Sequence, residues 1–170
     1  MHVTSGLITV YIPSHNYGNY LKSAIESILS QTYSEWELLI INDNSTDSTS
    51  DVMSNYVNHP KIRLFDTNGI GLPAVCNFAL KKANGEFIIR LDADDLANEN
   101  MLLILINSLI SNPELACVFP DYYFIDEFND IFAHKIRTNI TNKEIIYESP
   151  PNGACTLIRS QILRKIGGYR

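Results

Sequence analysis

Cysteine is scarce in this chain and unpatterned. Cys76, Cys117 and Cys155 stand far apart and form no C-x-x-C pair, so neither a disulfide framework nor a zinc site is suggested, and buried free thiols in a reducing cytoplasm are expected. Long apolar runs are missing too. No stretch approaches the length of a membrane span, and Met1 to Val10 has neither the basic start nor the apolar centre of a signal peptide. An excess of positive charge is absent: 13 Lys and Arg against 19 Asp and Glu leave a formal charge of −6, which argues against a general nucleic-acid or anionic-membrane surface. An anionic ligand must therefore be met locally, by a metal ion or backbone amides. No repeat, linker or low-complexity segment divides the chain. What is present, 170 residues of which 45% are apolar and 19% charged, suits one soluble domain over residues 1–170 with a sizeable core.

Strand and helix patterns alternate along the first two thirds. Ile8–Pro13 reads as a strand stopped by its proline, and Leu21, Ala24, Ile25, Ile28 and Leu29 recur at helical spacing over residues 20–30. Trp36–Ile41 reads as the second strand. It runs into the oxygen-rich loop Asn42–Asp47 and a helix near Thr49–Val57, for which Ser48 with Asp51 resembles a cap. Lys61–Phe65 makes a third strand, Asn68–Gly71 a permissive loop, and Pro73 opens a helix to about Ala83. Phe87–Leu91 is a fourth strand, followed by a helix over Glu99–Ser111 that Asn98 can cap. This alternation predicts a doubly wound, mostly parallel α/β sheet with helices on both faces.

Beyond Pro113 the pattern loosens. Leu115–Phe119 reads as a strand, and Tyr122–Asp126 with Ile131–His134 as a hairpin about residues 127–130. Lys143–Tyr147 is ambiguous between helix and strand. Pro150–Gly153 reads as a loop, Ala154–Ile158 as a strand, and Ser160–Ile166 as a short helix closed by Gly167 and Gly168.

The apolar strand Phe87–Leu91 ends abruptly in Asp92-Ala93-Asp94-Asp95. Three aspartates within four residues repel one another, so something positive or hydrogen-bonding must compensate, and Mg²⁺ or Mn²⁺ is the simplest candidate for hard oxygen ligands few in number. The other reading is a solvated loop capping the next helix. The carboxyl ends of the first, second and fourth strands would bring Ser14-His15-Asn16, Asp43-Asn44-Ser45 and Asp92–Asp95 to one edge of the sheet. Open α/β sheets bind nucleotides at such an edge.

The order of the segments carries a resemblance. I-T-V-Y-I-P-S-H-N at Ile8–Asn16, S-I-L-S-Q-T-Y at Ser27–Tyr33, E-L-L-I-I-N-D-N-S-T-D at Glu37–Asp47, N-G-I-G-L-P-A-V-C-N at Asn68–Asn77, G-E-F-I-I-R-L-D-A-D-D at Gly85–Asp95 and G-G-Y at Gly167–Tyr169 together resemble the amino-terminal part of family 2 glycosyltransferases. The resemblance implies a GT-A fold, a nucleotide-sugar donor, most simply UDP-linked, a divalent Mn²⁺ or Mg²⁺, and inverting transfer to a glycan, lipid-linked or protein-linked acceptor. It implies no nucleic-acid partner, and a cytoplasmic location with peripheral membrane association at the inner face. A surface-polysaccharide product is a family-level expectation.

Residue by residue, the resemblance places Pro13, Ser14, His15, Asn16, Asp43, Ser45, Asn68, Gly71, Asp92 and Ala93 around the nucleotide. Asp43 is assigned to the nucleobase, where an ionised acid suits an imide N–H; an Asx-turn or helix cap is the competing reading. Asp92 is assigned to the ribose hydroxyls, Asp94 to the metal and Asp95 to the donor sugar or the surrounding shell. Asn42 stands where the family has another acid, and Cys76 where many members carry Arg. His15 reads as a pocket wall or a plain loop histidine, Arg90 as a structural ion-pair partner, and Tyr122 and Tyr123 as core residues first and acceptor-channel residues second.

An inverting transfer also needs a general base. In the family it follows the G-G-Y segment, and Asp121, Asp126 and Glu127 do not match it. The chain therefore reads as truncated at its carboxyl end, and the alternative function is a non-catalytic nucleotide-sugar-binding fragment or assembly module. A phosphatase or nucleotidyltransferase would want different residues after the first strand and ranks last.

Overall fold

The computed structural model describes residues 4–126, 128–137 and 153–170. Its centre is a six-stranded sheet in the order β3-β2-β1-β4-β8-β5. The strands are β1 (Thr4–Ser14), β2 (Trp36–Asp43), β3 (Ile62–Thr67), β4 (Gly85–Arg90), β5 (Cys117–Val118) and β8 (Leu157–Arg159), and a separate hairpin pairs β6 (Tyr122–Ile125) with β7 (Ile131–Lys135). The four strands from β3 to β4 are parallel, whereas β8 runs antiparallel to both β4 and β5. The helices are α1 (Gly18–Leu29), α2 (Thr49–Ser54), α3 (Leu72–Lys82), α4 (Met101–Ser111) and α5 (Ser160–Lys165).

Strands buried on both faces read as continuous apolar runs, and their alternate residues divide the core in two. Ile8, Val10, Ile12, Leu38, Ile40, Phe87 and Ile89 pack with α1 and α4 on one face. Tyr11, Leu39, Ile41 and Ile88 pack with Val75, Cys76, Ala79 and Leu80 of α3 and Leu163 of α5 on the other. The sheet is thus covered on both sides, as the alternation of elements predicts.

The amino-terminal edge of the sheet is tied by Glu37. Its carboxylate accepts from Thr9 Oγ1 at 2.7 Å, Asn84 N–H at 2.7 Å and Arg63 Nη1 at 3.2 Å, linking three strands to the loop after α3. Close beside it, a Cβ on Gly85 would lie 2.6 Å from the Thr9 backbone nitrogen. Only glycine fits that approach.

Several predicted details change. Ser48 and Asn100, the residues preceding α2 and α4, make no side-chain cap bond, and α4 begins at Met101 rather than Glu99. Asp47 caps α2 instead, accepting from the Thr49 N–H at 3.0 Å and hydroxyl at 2.6 Å. Among the described residues the Asn98 side-chain oxygen accepts from Asn100 N–H rather than from a helix N–H of α4, and Gln31 supplies the cap of α4 by accepting from Leu102 N–H at 3.0 Å. β5 is two residues long, and β8 starts at Leu157 because Gly153–Cys155 form a bend and turn. Tyr122 and Tyr123 are not core residues: they are 41% and 59% exposed on a hairpin outside the main sheet. Lys143–Tyr147 and Pro150–Asn152 lie outside the described residues, as does Glu127. Among the described residues no helix is long and apolar enough to cross a membrane.

Candidate functional site

β2, β1 and β4 are neighbours in the sheet, so the loops that follow them emerge side by side. The first two are stitched together by polar side chains. His15 Nδ1 lies 2.6 Å from the Asp43 carbonyl oxygen, and because a carbonyl only accepts, Nδ1 carries the proton. Asn16 adopts φ +62°, its N–H donates to Ser45 Oγ at 3.0 Å, and its side-chain oxygen accepts from Thr46 N–H at 2.8 Å. Asp47 accepts from Gly18 N–H at 2.8 Å. Asn42, in the position of a family acid, donates to Asp66 at 2.9 Å and accepts from Ser45 N–H at 3.0 Å. The amide thus replaces a charge with a two-way hydrogen-bond bridge. Pro13 is half-buried, and the Ser14 hydroxyl is buried without a partner among the described residues.

Asp43 ends β2, and parallel register sets Thr67 of β3 beside it. Thr67 Oγ1 at 2.6 Å and Ile70 N–H at 2.8 Å donate to Oδ1, while Gly71 N–H donates to Oδ2 at 2.8 Å. The carboxylate therefore organises the Asn68–Gly71 loop at the start of α3. Gly69 and Gly71 take φ +69° and +81° there, the left-handed region open to glycine. Burial pushes the Asp43 pKa up, but these donors outweigh it and hold the group below the ordinary carboxylate value. A carboxylate offers about four lone pairs. Gly69 N–H also helps to lower the pKa; of the hydrogen bonds among the described residues Oδ2 accepts one, from Gly71, and retains capacity for another N–H.

The third loop is a tight turn in which Asp95 N–H donates to the Asp92 carbonyl at 3.1 Å. Ala93 is buried, Asp92 half-buried, and Asp94 and Asp95 reach solvent. Arg90 Nε lies 2.8 Å from Asp92 Oδ1, and Nη2 is 3.4 Å from Oδ2. Burial and the Asp94 charge raise the Asp92 pKa against the pull of Arg90. Desolvation, then repulsion from Asp92 and Asp94, pushes Asp95 up to about 6.

Such crowding favours a cation. Among the described residues no three His, Cys, Asp or Glu side chains converge on a ready-made position. The donor set fits Mg²⁺ or Mn²⁺ held by one or two carboxylates, with phosphate and water completing the shell, rather than an all-protein cage. Asp94, exposed and without a hydrogen bond among the described residues, is the carboxylate free to take that part.

Residues 9–167 match the sequence pattern described as Glycosyl transferase family 2. The chain belongs to glycosyltransferase family 2. This glycosyltransferase domain is 29% identical over 139 residues to a chondroitin synthase of Escherichia coli, covering 81% of the domain and 20% of that protein. It is 32% identical to glycosyltransferase GlyG of Streptococcus pneumoniae, covering 75% of the domain and 43% of that protein. The domain thus spans less than half the length of these relatives. Its fold is that of GT-A glycosyltransferases. Residues 1–349 of S. aureus TarS in complex with UDP-GlcNAc superpose with a TM-score of 0.76 at 23% identity, covering 95% of the domain and 48% of that chain. Mannosyltransferase PcManGT of Pyrobaculum calidifontis, in complex with GDP-Man and Mn²⁺, gives a TM-score of 0.70 at 19% identity, covering 96% and 47%.

Sequence reasoning missed three participants. Thr67 was detectable from parallel register beside Asp43. The Arg90–Asp92 pair was missed only in part: Arg90 reads as an ion-pair partner from its place on an apolar strand, as the structure has it, but that the partner is Asp92 of the acidic turn required coordinates. Cys155 had no signal: its N–H donates to the Arg90 carbonyl at 2.6 Å, and burial, with Asp95 and Asp92 nearby, pushes its thiol up to about 12.

Proposed function

We propose that the domain binds a UDP-sugar across the carboxyl ends of β2, β1 and β4 and transfers the sugar, with inversion, to a glycan or glycoconjugate acceptor. The observation that carries this reading is the Asp43 carboxylate. It is kept ionised by donors from Thr67, Ile70 and Gly71, with Gly69 N–H beside them, yet among the described residues Oδ2 accepts a single hydrogen bond, at the same sheet edge as the Asp92–Asp95 turn.

In this reading Asp43 accepts the uracil imide N–H, with His15 and Asn16 walling the base and Asn68 and Gly71 letting the backbone approach it. Ser14, Ser45 and Pro13 line the same edge. Asp92 accepts from ribose hydroxyls beside Ala93, Asp94 holds a divalent cation against the diphosphate, and Asp95 faces the donor sugar. The bound cation, Mn²⁺ or Mg²⁺, supplies charge neutralisation for the departing diphosphate. The chain's own residues orient the donor so that its anomeric carbon is open to an acceptor hydroxyl.

Isothermal titration with UDP is the test. Binding that requires Mn²⁺ is expected, and absence of metal-dependent binding would overturn the assignment.

A second reading is favoured by the acids around the hairpin. Asp121 accepts from Arg137 N–H at 2.7 Å, and Asp126 from the N–H groups of Phe128 and Asp130 at 2.9 and 3.0 Å. Asp126 is engaged in the hairpin turn and Asp121 by a backbone N–H across the open end of the hairpin, and neither is assigned as a general base. A chain that binds donor without turning it over fits this arrangement. Sugar transfer by the 170-residue chain to any acceptor would exclude it.

A further inference from the structure

We propose that Arg90 is a positioning residue of the donor site, clamping Asp92 so that its outward lone pairs are presented to the nucleotide. The inference rests on the donor-site reading above and assigns a role to a residue that makes no donor contact itself.

Arg90 belongs to the buried pattern of β4. Phe87 and Ile89 face the α1 and α4 side, while Ile88 and then Arg90 face the α3 side, with Arg90 in register with Tyr11 of β1. A leucine or isoleucine would suit this place at lower cost, because a buried cation loses hydration that only a well-aligned partner restores. Its side chain is 17% exposed, and among the described residues its ion-pair partner is Asp92.

Nε stands 2.8 Å from Oδ1 as an ion pair, although its N–H makes no hydrogen bond among the described residues, and Nη2 donates to Oδ2 at 3.4 Å. The guanidinium thus approaches both carboxylate oxygens, which restricts where Asp92 can turn. Asp92 remains 36% exposed along its side chain, so the arginine leaves part of it open to a ligand.

The guanidinium is hemmed in from beneath. Cys76 of α3 and the Tyr11 hydroxyl lie beside it, and Tyr169 lies beside both. Asn77 grips the backbone of Tyr169 from both directions, donating to its carbonyl at 2.9 Å and accepting from its N–H at 2.8 Å. Cys155 N–H holds the Arg90 carbonyl. Arginine and aspartate are thus set from α3, the 155 turn and the carboxyl-terminal segment at once. With its charge, Arg90 also offsets one of three crowded carboxylates, which keeps the turn closed before a metal arrives.

The test is isothermal titration of UDP at saturating Mn²⁺ into the full chain and the variants Arg90→Met, Arg90→Lys, Asp92→Asn and Arg90→Met with Asp92→Asn. Arg90→Met is expected to weaken UDP binding about tenfold and Arg90→Lys about threefold, because an ammonium keeps the charge and loses the fork. In the Asp92→Asn background, Arg90→Met should weaken binding by less than about twofold further, since groups acting through one contact are not additive. The Mn²⁺ concentration for half-maximal UDP binding, set by Asp94, should move less than about twofold in Arg90→Met.

Unchanged UDP affinity in folded Arg90→Met, or losses that multiply in the double variant, would overturn the inference alone. A purely structural arginine would give that result with a lowered melting temperature. Should Arg90→Met fail to fold, Arg90→Lys decides by the same comparison. Failure of the unmodified chain to bind UDP with Mn²⁺ would overturn the donor-site reading, and the inference with it.

Discussion

Asp43 and Asp94 sit on the same sheet edge and respond to different forces. The Asp43 carboxylate holds Thr67, Ile70 and Gly71, so its replacement acts on the protein as well as on a ligand. Asp43→Asn should cost about 1–3 kcal/mol of stability in urea unfolding, because an amide presents N–H where a backbone donor needs an acceptor. It should also relax the preference for UDP over other nucleoside diphosphates in competition titrations, with the Mn²⁺ requirement retained. Asp94 has no such protein partner. Asp94→Asn should leave unfolding within about 0.5 kcal/mol of the parent and weaken Mn²⁺-dependent UDP binding by about 2–4 kcal/mol, through loss of a charged ligand. Equal loss of stability in both variants, with UDP affinity unchanged, would make both carboxylates structural caps. Asp43 was legible as a site candidate because it ends an apolar strand. Of its donors, Thr67 could be placed only through the register of β3, and Ile70 and Gly71 belong to a loop more than 20 residues away.

At the scale of elements, helix α4 depends on a residue far from it in sequence. The Gln31 side chain, 8% exposed, donates to the Ser27 and Asn98 carbonyls at 3.0 and 2.7 Å and accepts from Leu102 N–H at 3.0 Å. It closes the end of α1 and the start of α4 together, and so fixes the segment that leaves the acidic turn. Gln31→Ala is expected to destabilise the domain by about 2–4 kcal/mol, since buried backbone groups lose their partners. Hydrogen exchange would show faster exchange at Leu102 N–H than at strand amides of β1. Unchanged stability and exchange would mean that water replaces the amide without loss. Helical spacing of apolar residues made α1 legible, Pro73 the start of α3, and the apolar run after Asn98 α4. Their caps were misread, because Ser48 and Asn98 satisfy local spacing while Asp47 and Gln31 have the geometry.

The whole molecule carries opposing titrations, and their signs set its pH response. Asp43 is depressed by its donors, so its contribution is present above the unfolded aspartate value near 4 and is lost as pH falls through the lower folded value. Asp95 is the reverse. Raised to about 6, it binds a proton more tightly folded than unfolded, so in the metal-free chain its contribution grows as pH falls through about 6 and is complete below about 4, where the loss on further acidification comes from Asp43. Thermal unfolding across this range in chelating buffer should therefore peak on the acid side of neutrality. Mn²⁺ with UDP should remove the gain, since a cation held by Asp94 offsets the repulsion that raises Asp95. A profile that rises monotonically to neutral pH would contradict the crowding at the acidic turn.

The local chemistry of the chain already contained the four parallel strands, their two-sided burial and the edge at which the acids emerge. Apolar runs of β-branched residues can satisfy themselves only inside a covered sheet, and charged residues at their ends must leave it. Tertiary structure decided what each acid meets on leaving. Register set Thr67 against Asp43, the shared side of β4 and α3 set Arg90 against Asp92, and the Asn77–Tyr169 contact fixed the floor beneath them. It also placed Tyr122 and Tyr123 in solvent, because a two-stranded hairpin outside the main sheet has no second layer to cover its aromatic faces. Such pairings join residues distant in the chain, and their energies depend on distance and burial, neither of which is a property of composition or spacing.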